Sequence, residues 1–156
     1  ISLAELADEV CCDLASIADQ KKVELIQEEG DCTVTGSYLL LYRAVYNLVE
    51  NAIKYNHSGG KVTVKISQTK ALSAAHSKPT DYALVEVTDT GIGISPEFQE
   101  KIFDPFFRVD KSRSRAMGGA GLGLALVNEI ARQHGGQVKV LASSEQGSTI
   151  ALVLPI

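Results

Sequence analysis

Three stretches of this chain place side chains at spacings that chemistry can use. The first is NLVENAIKY, residues 47 to 55. Asn47 and Asn51 stand four apart, so on a helix their amides stack on one face. Amides set in an otherwise apolar face need partners. Two neutral oxygen donors suit Mg²⁺, which keeps several waters and completes its shell with substrate phosphates. Lys54 lies about one turn further on and can reach a phosphate, while Tyr55 offers a ring or a hydroxyl. A polar seam satisfied by backbone is the other reading of these residues.

The second stretch is DTGIGI, residues 89 to 94, after an apolar alternating run. Asp89 ends that run, and a carboxylate at the end of a buried strand needs a donor; a nucleobase amino group would be one. Gly91 and Gly93 let backbone pass close to a flat ligand without a Cβ in the way. A tight turn with a capping Asp is the plainer alternative.

The third stretch is GGAGLGL, residues 118 to 124, which opens an apolar helical pattern. Glycines before a helix N-terminus present N–H groups and the positive end of a dipole to phosphate. There is no Lys-Ser/Thr ending and no GxGxxG after a strand, which excludes a P-loop and a Rossmann turn. Between the two glycine clusters, Arg108, Lys111, Arg113 and Arg115 set four positive charges against Asp110. A charge run is usually a solvated loop. Its place between the clusters turns the reading toward contact with a triphosphate. Phe103, Phe106 and Phe107 would anchor such a lid, residues 104 to 120, hinged on the glycines. Asp89 to Leu124 thus reads as most of an ATP site.

These residues need elements to hold them. Residues 2 to 21 have a helical period, with Leu3, Leu6, Val10, Leu14 and Ile17 on one face. Ser2 followed by Glu5 is a capping-box start. VELIQ at 23 to 27 and CTVTG at 32 to 36 read as a hairpin or two edge strands turning at Gly30 and Asp31. Ser37 caps a second helix over 38 to 56, with Leu40, Ala44, Asn47 and Asn51 sharing one side. KVTVKISQ (61 to 68) and YALVEVTD (82 to 89) alternate as paired strands around a polar loop, 69 to 81. Ser95-Pro96-Glu97 opens a short helix running to about Phe103. A third long helix covers 122 to 135, and 137 to 144 with 148 to 155 close the chain as a hairpin. Helices separated by strand pairs predict an α+β two-layer sandwich: a mixed, mostly antiparallel sheet of about five or six strands backed by three helices.

Composition agrees with one globular unit over residues 1 to 156: 45% hydrophobic and 22% charged residues, ordinary values for a single core. A net charge of −4 argues against nucleic acid as a partner. No apolar run approaches the roughly 18 residues of a membrane span. Cys11, Cys12 and Cys32 lack metal-ligand spacing and read as reduced thiols of a cytoplasmic chain. The start at Ile1 reads as a piece of a longer protein.

Taken in order, NxxxNxxKY, DTGIGI, FDPFFR and GGAGLGL resemble the ATP-binding catalytic domain of sensor histidine kinases. That domain belongs to the superfamily shared with gyrase, mismatch-repair and heat-shock-chaperone ATPases. The resemblance covers nearly the whole chain and implies a Bergerat-type fold. It implies ATP and Mg²⁺ as cofactors, with Asn51 as metal ligand and Asn47 its partner. It sets Lys54 at phosphate and Tyr55 against adenine or ribose. Asp89 would accept the adenine amino proton, in a purine pocket shaped by Gly91 and Gly93. Gly119, Gly121 and Gly123 would face phosphate, with Leu122 and Leu124 seating the helix. Arg108 and Lys111 would be lid cations, and Thr149 of the closing hairpin completes the nucleotide set. Pro105 and Ala120 stand where many relatives have Arg and Thr, which removes two candidate contacts.

Hydrolases of that superfamily carry a Glu four residues before the metal Asn, as base for water. Here that position is Asn47, which cannot take a proton. Glu50 lies about 100° round the helix from Asn51 and could still polarise a nucleophile through water. The resemblance therefore implies a kinase. It would donate the γ-phosphoryl group to a histidine on an upstream dimerisation hairpin and serve a response regulator indirectly. The isolated domain would be a monomer of a homodimeric parent, with an inner-membrane sensor as one possible parent. None of His57, His76 and His134 sits in a phosphoacceptor context. The alternatives are a hydrolytic ATPase, a stand-alone serine kinase and a nucleotide-sensing module without catalysis.

Overall fold

The computed structural model describes residues 1–72, 79–105 and 123–156. Its first helix, α1 (Leu3–Lys21), starts where the Ser2 hydroxyl accepts the Glu5 N–H at 3.3 Å. Asp31 adds a second cap, accepting the Ala4 N–H at 2.9 Å. Leu3, Leu6, Val10 and Leu14 are buried as expected, but the next buried position is Ala18. Ile17 is 38% exposed. One residue per turn beyond Leu14 continues the stripe to Ala18, and Ile17 falls on its flank.

Strand β1 (Glu24–Gln27) does not form the expected hairpin with residues 32 to 36. It pairs in parallel with β2 (Lys61–Leu72), from Glu24 opposite Lys61 to Gln27 opposite Val64. Residues 32 to 36 make no strand, only a bridge between Thr33 and Ser2. Their backbone groups are taken by the segment ahead of α1: Leu3 N–H donates to the Cys32 carbonyl and Val34 N–H to that of Ile1, both at 3.0 Å. A backbone already satisfied there has nothing left to offer β1.

Helix α2 (Tyr38–Lys54) begins at Ser37, whose hydroxyl accepts the Leu40 N–H. It buries Leu41, Ala44, Val45, Leu48, Val49, Ala52 and Ile53. That leaves the flank bearing Asn47, Asn51 and Lys54 only half-buried. On the opposite flank Tyr38 and Tyr42 donate to Glu9 and Asp13 of α1. Strand β3 (Pro79–Asp89) runs antiparallel to β2, from Val62 opposite Asp89 to Leu72 opposite Pro79. Both strands therefore extend into the segment read as a loop; polar residues on an outward face still pair their backbones. Residues 73 to 78, including His76, lie outside the described residues.

Two 3₁₀ turns, Pro96–Phe98 and Lys101–Phe103, stand where one short helix was expected. Helix α3 (Gly123–Gln133) leads into the hairpin of β4 (Gln137–Ser144) and β5 (Gly147–Pro155). Sheet order is β1-β2-β3-β5-β4, with only the first pair parallel. Val62, Val64 and Ile66, Ala83, Val85 and Val87, and Leu152 and Leu154 alternate toward the helices and join their apolar faces in one core. Among the described residues the result is an open, mixed five-stranded sheet backed by three helices, an α+β sandwich. The three cysteines are free thiols. Burial pushes the Cys11 thiol up to about 11, so it stays protonated at neutral pH. No helix among the described residues is long and apolar enough to cross a membrane.

Candidate functional site

The carboxylate that ends β3 is partly buried. Asp89 Oδ1 accepts the Gly91 N–H at 2.9 Å, and Oδ2 accepts the Ser148 hydroxyl at 3.0 Å. Burial still holds its carboxyl above the ordinary carboxylate range, against the lowering effect of those two bonds. Asp89 and Ser148 are register partners on β3 and β5, so their side chains share the helix-facing side. Thr149 is one residue on and therefore on the opposite face, where its hydroxyl meets that of Thr88 at 3.0 Å. Ser148 is the residue that the motif reading passed over. Counting alternate positions back along β5 from the core leucines would have found it.

The loop after Asp89 packs against the end of α2. A Cβ at Gly91 would overlap the Tyr55 carbonyl oxygen, and one at Gly93 the Ser144 carbonyl oxygen, so both glycines are close-approach points. The Ile92 N–H donates to that Tyr55 carbonyl at 3.3 Å, and the Ile94 N–H to the Ser143 hydroxyl at 2.7 Å. Asn56, expected as the last residue of the second helix, lies beyond its end at Lys54 and is only 6% exposed. Its Nδ2 donates to the Lys61 carbonyl at 2.8 Å, and its Oδ1 accepts the His57 N–H at 2.8 Å and the Thr90 hydroxyl at 3.3 Å.

The amide pair stands at the start of α3. A Cβ on Gly123 would lie 3.4 Å from Asn47 Oδ1 and 3.6 Å from Asn51 Nδ2, so both amides converge on that helix start. Asn47 Nδ2 donates to the Arg43 carbonyl at 2.9 Å, which leaves its Oδ1 as the group turned toward Gly123. Asn47 Oδ1 is a neutral oxygen suited to a cation that brings its own waters and phosphates, and the helix N-terminus beside it suits those phosphates. No carboxylate cage competes for it: the described residues contain no group of three or more His, Cys, Asp or Glu able to hold a metal. Lys54 pairs with Glu50 at 3.4 Å, both partly exposed. A lysine in that state can exchange its carboxylate for an incoming phosphate. Leu124 packs at the margin of the core.

Arg108, Lys111, Gly119, Gly121 and Leu122 lie outside the described residues, as do Phe106, Phe107 and the rest of the expected lid to residue 120. Of the histidines, His134 is more than a turn residue. It joins two helix ends: its Nε2 accepts the Ser37 N–H at 3.1 Å, and Nδ1 lies 2.8 Å from the Ile130 carbonyl.

A mixed sheet under three helices, with paired amides at one helix start and a strand-end carboxylate, defines a nucleotide-binding domain of the ATPase–kinase class. Residues 36–156 match the family of histidine kinase-, DNA gyrase B- and HSP90-like ATPases, and the chain belongs to it. The sensor-like histidine kinase SenX3 of Mycobacterium tuberculosis is 41% identical over 139 residues, 88% of this chain and 32% of that protein. The chain thus spans about a third of the length of the curated relatives it matches. The mycobacterial sensor histidine kinase MprB superimposes with a TM-score of 0.76 at 29% identity, covering 99% of this chain and 95% of that one. The full-length ShkA structure in complex with AMPPNP gives 0.79 at 25% identity, covering 99% of this chain and 30% of that one.

Proposed function

We propose that residues 1 to 156 form one catalytic domain that binds Mg-ATP and donates the γ-phosphoryl group to a histidine on a separate dimerisation hairpin of a two-component sensor kinase. The observation that carries this reading is the convergence of the Asn47 and Asn51 amides on Gly123. It leaves no carboxylate where a hydrolase of the family needs its base. Asn51 and Asn47 would hold Mg²⁺ together with phosphate oxygens, and the metal would draw charge from the transferring group. Asp89 and Ser148 would read the adenine amino edge. Lys54, Arg108 and Lys111 would meet the phosphates, and Glu50 would orient the approaching imidazole through water.

Transfer breaks the bond between the γ-phosphorus and the β,γ-bridging oxygen as a bond forms to an imidazole nitrogen. ADP leaves with the electron pair, and the imidazole gives up its N–H proton. This domain forms no covalent intermediate; positioning and charge neutralisation account for its share of the catalysis. Homology to larger sensor kinases supports a parent with further domains, and that parent would act as a homodimer. The relation to gyrase B- and HSP90-like ATPases keeps hydrolysis as a second reading.

The test is phosphotransfer from radiolabelled Mg-ATP to a supplied dimerisation hairpin containing the acceptor histidine. An acid-labile, base-stable product is expected, with little phosphate released by the domain alone. Rapid turnover without the hairpin would decide for the hydrolase.

A further inference from the structure

We propose that Asn56 and Thr90 are positioning residues that set the phosphate-binding half of the site against its base-reading half. The proposal rests on the Mg-ATP reading above. The last turns of α2 carry Asn51, Lys54 and Tyr55, while Asp89 and Gly91 stand at the end of β3. Along the chain the two groups are separated by the whole of β2 and β3, so only non-covalent links can fix their distance.

Those links meet at the first residue of β2. The Lys61 N–H donates to the Thr90 hydroxyl at 2.8 Å. The Lys61 carbonyl accepts Asn56 Nδ2 at 2.8 Å and the Thr90 N–H at 3.1 Å. The Thr90 hydroxyl in turn donates to Asn56 Oδ1 at 3.3 Å. This closes a ring of one side-chain amide, one hydroxyl and the backbone N–H and C=O of Lys61, with Asn56 as its buried member. A buried amide with its donor and acceptor both engaged holds one orientation, because any rotation leaves a polar group without a partner. The direct link between the two halves, Ile92 N–H to the Tyr55 carbonyl, is long at 3.3 Å, and the ring supports it from beneath. Displacement of a reacting group by about 1 Å costs up to ~100-fold in rate, so a joint of this kind matters to function.

The side chains of both residues are engaged with each other and with Lys61, and their proposed role involves no direct contact with base or phosphate. Their effect should therefore appear in the gain from adenosine to Mg-ATP, not in adenosine binding itself. Adenosine affinity would be measured by NMR titration and Mg-ATP affinity by calorimetry, for the 156-residue chain and for Thr90→Ser and Thr90→Val. Thr90→Ser keeps the hydroxyl and should retain the wild-type gain within about twofold. Thr90→Val should bind adenosine as the wild type does and lose the gain by about tenfold. Thr90 is solvent-exposed, so the valine variant should fold; if it does not, Thr90→Ala removes the same hydroxyl with less bulk. A gain unchanged in the folded variant overturns the proposal. So does an equal loss for adenosine and Mg-ATP, or failure of both variants to fold, since each marks a purely structural hydroxyl. Wild-type chain that binds no Mg-ATP would instead remove the reading beneath the proposal.

Discussion

The Ser148 hydroxyl donates to Asp89 Oδ2 at 3.0 Å across a register pair of β3 and β5, yet Asp89 is held above its ordinary value of 3.8 by burial. The carboxylate is thus oriented by neighbours and destabilised by its surroundings. Between 3.8 and the higher folded value the native state binds more protons than the unfolded chain, so this group's contribution to stability falls as pH rises through that window. Above it, the ionised carboxylate is a standing cost in the nucleotide-free protein. Asp89→Asn removes the charge and keeps an acceptor. We expect the free variant to melt higher at pH 7, where each 1 kcal/mol moves Tm by about 2–4 °C in a chain of this size. Its gain over wild type should shrink on acidification. Mg-ATP affinity should fall about 10- to 100-fold, because a bond to a charged group contributes ~1.5–3 kcal/mol. Parallel calorimetry and melting curves would read both effects; unchanged affinity would remove Asp89 from the base site.

Ser148 and Thr149 are adjacent but stand on opposite faces of β5, and their hydroxyls bond Asp89 and Thr88 respectively. Ser148→Ala removes the hydroxyl bond to Asp89 Oδ2 and leaves the carboxylate only the backbone N–H groups of Gly91 and Ser148 to orient it. The expected loss of Mg-ATP affinity is about 3- to 10-fold, less than removal of the charge itself, because the carboxylate keeps its N–H donors. Thr149→Val, on the far face, should bind within about twofold of wild type. The reverse order would show that the nucleotide is read from the other side of the sheet.

Asn51 and Asn47 converge on Gly123 without any carboxylate among them. Neutral donors hold Mg²⁺ weakly unless phosphates complete the shell. Metal and nucleotide should therefore bind together: titration of Mg²⁺ alone gives little heat, while Mg²⁺ strengthens ATP binding. In Asn51→Ala that Mg²⁺-dependent strengthening should fall by about tenfold or more, a loss of ~1.4 kcal/mol. Binding of adenosine, which has no phosphate, should be unaffected. A variant that retains the full Mg²⁺ effect would place the metal elsewhere.

The boundaries of α1 and α2 were legible because their signals are local: Ser2 and Ser37 cap the helices, and apolar residues recur at helical spacing. The pairing of β1 was not. VELIQ and CTVTG look like two arms of a hairpin, but Lys61, thirty-seven residues beyond Glu24, is the partner that β1 takes. Nothing within the window announces that parallel choice. In the site, amides, carboxylate and glycines could be read from residue type and spacing. Ser148 and Asn56 could not, since each gains its role from a register or a turn that only the assembled sheet defines. Asn56 looked like the last polar residue of the second helix, and its burial comes from Gly60 and Thr90 closing over it.

Gly147 sets the hairpin of β4 and β5 against the Asp89 backbone. Its φ is +134°, a conformation that side-chain-bearing residues rarely adopt, and a Cβ there would overlap the Asp89 carbonyl oxygen. Gly147→Ala therefore carries backbone strain of about 1–3 kcal/mol. It also pushes directly on the residue that presents the carboxylate. Gly135 supplies the contrast: its φ is +74°, but the nearest atom to a Cβ there is Pro155 Cγ at 3.6 Å, ordinary contact, and it stands at the end of α3 rather than at Asp89. Gly135→Ala should lower Tm with Mg-ATP affinity within about twofold of wild type, since its strain of ~1 kcal/mol stays local. Gly147→Ala should lower Tm further and weaken Mg-ATP binding about tenfold in the folded fraction, because the Asp89 backbone must move to make room. Melting curves with calorimetry below the transition separate the two. If Gly147→Ala lost stability alone, the carboxylate would be held by Ser148 and Gly91 without help from the hairpin.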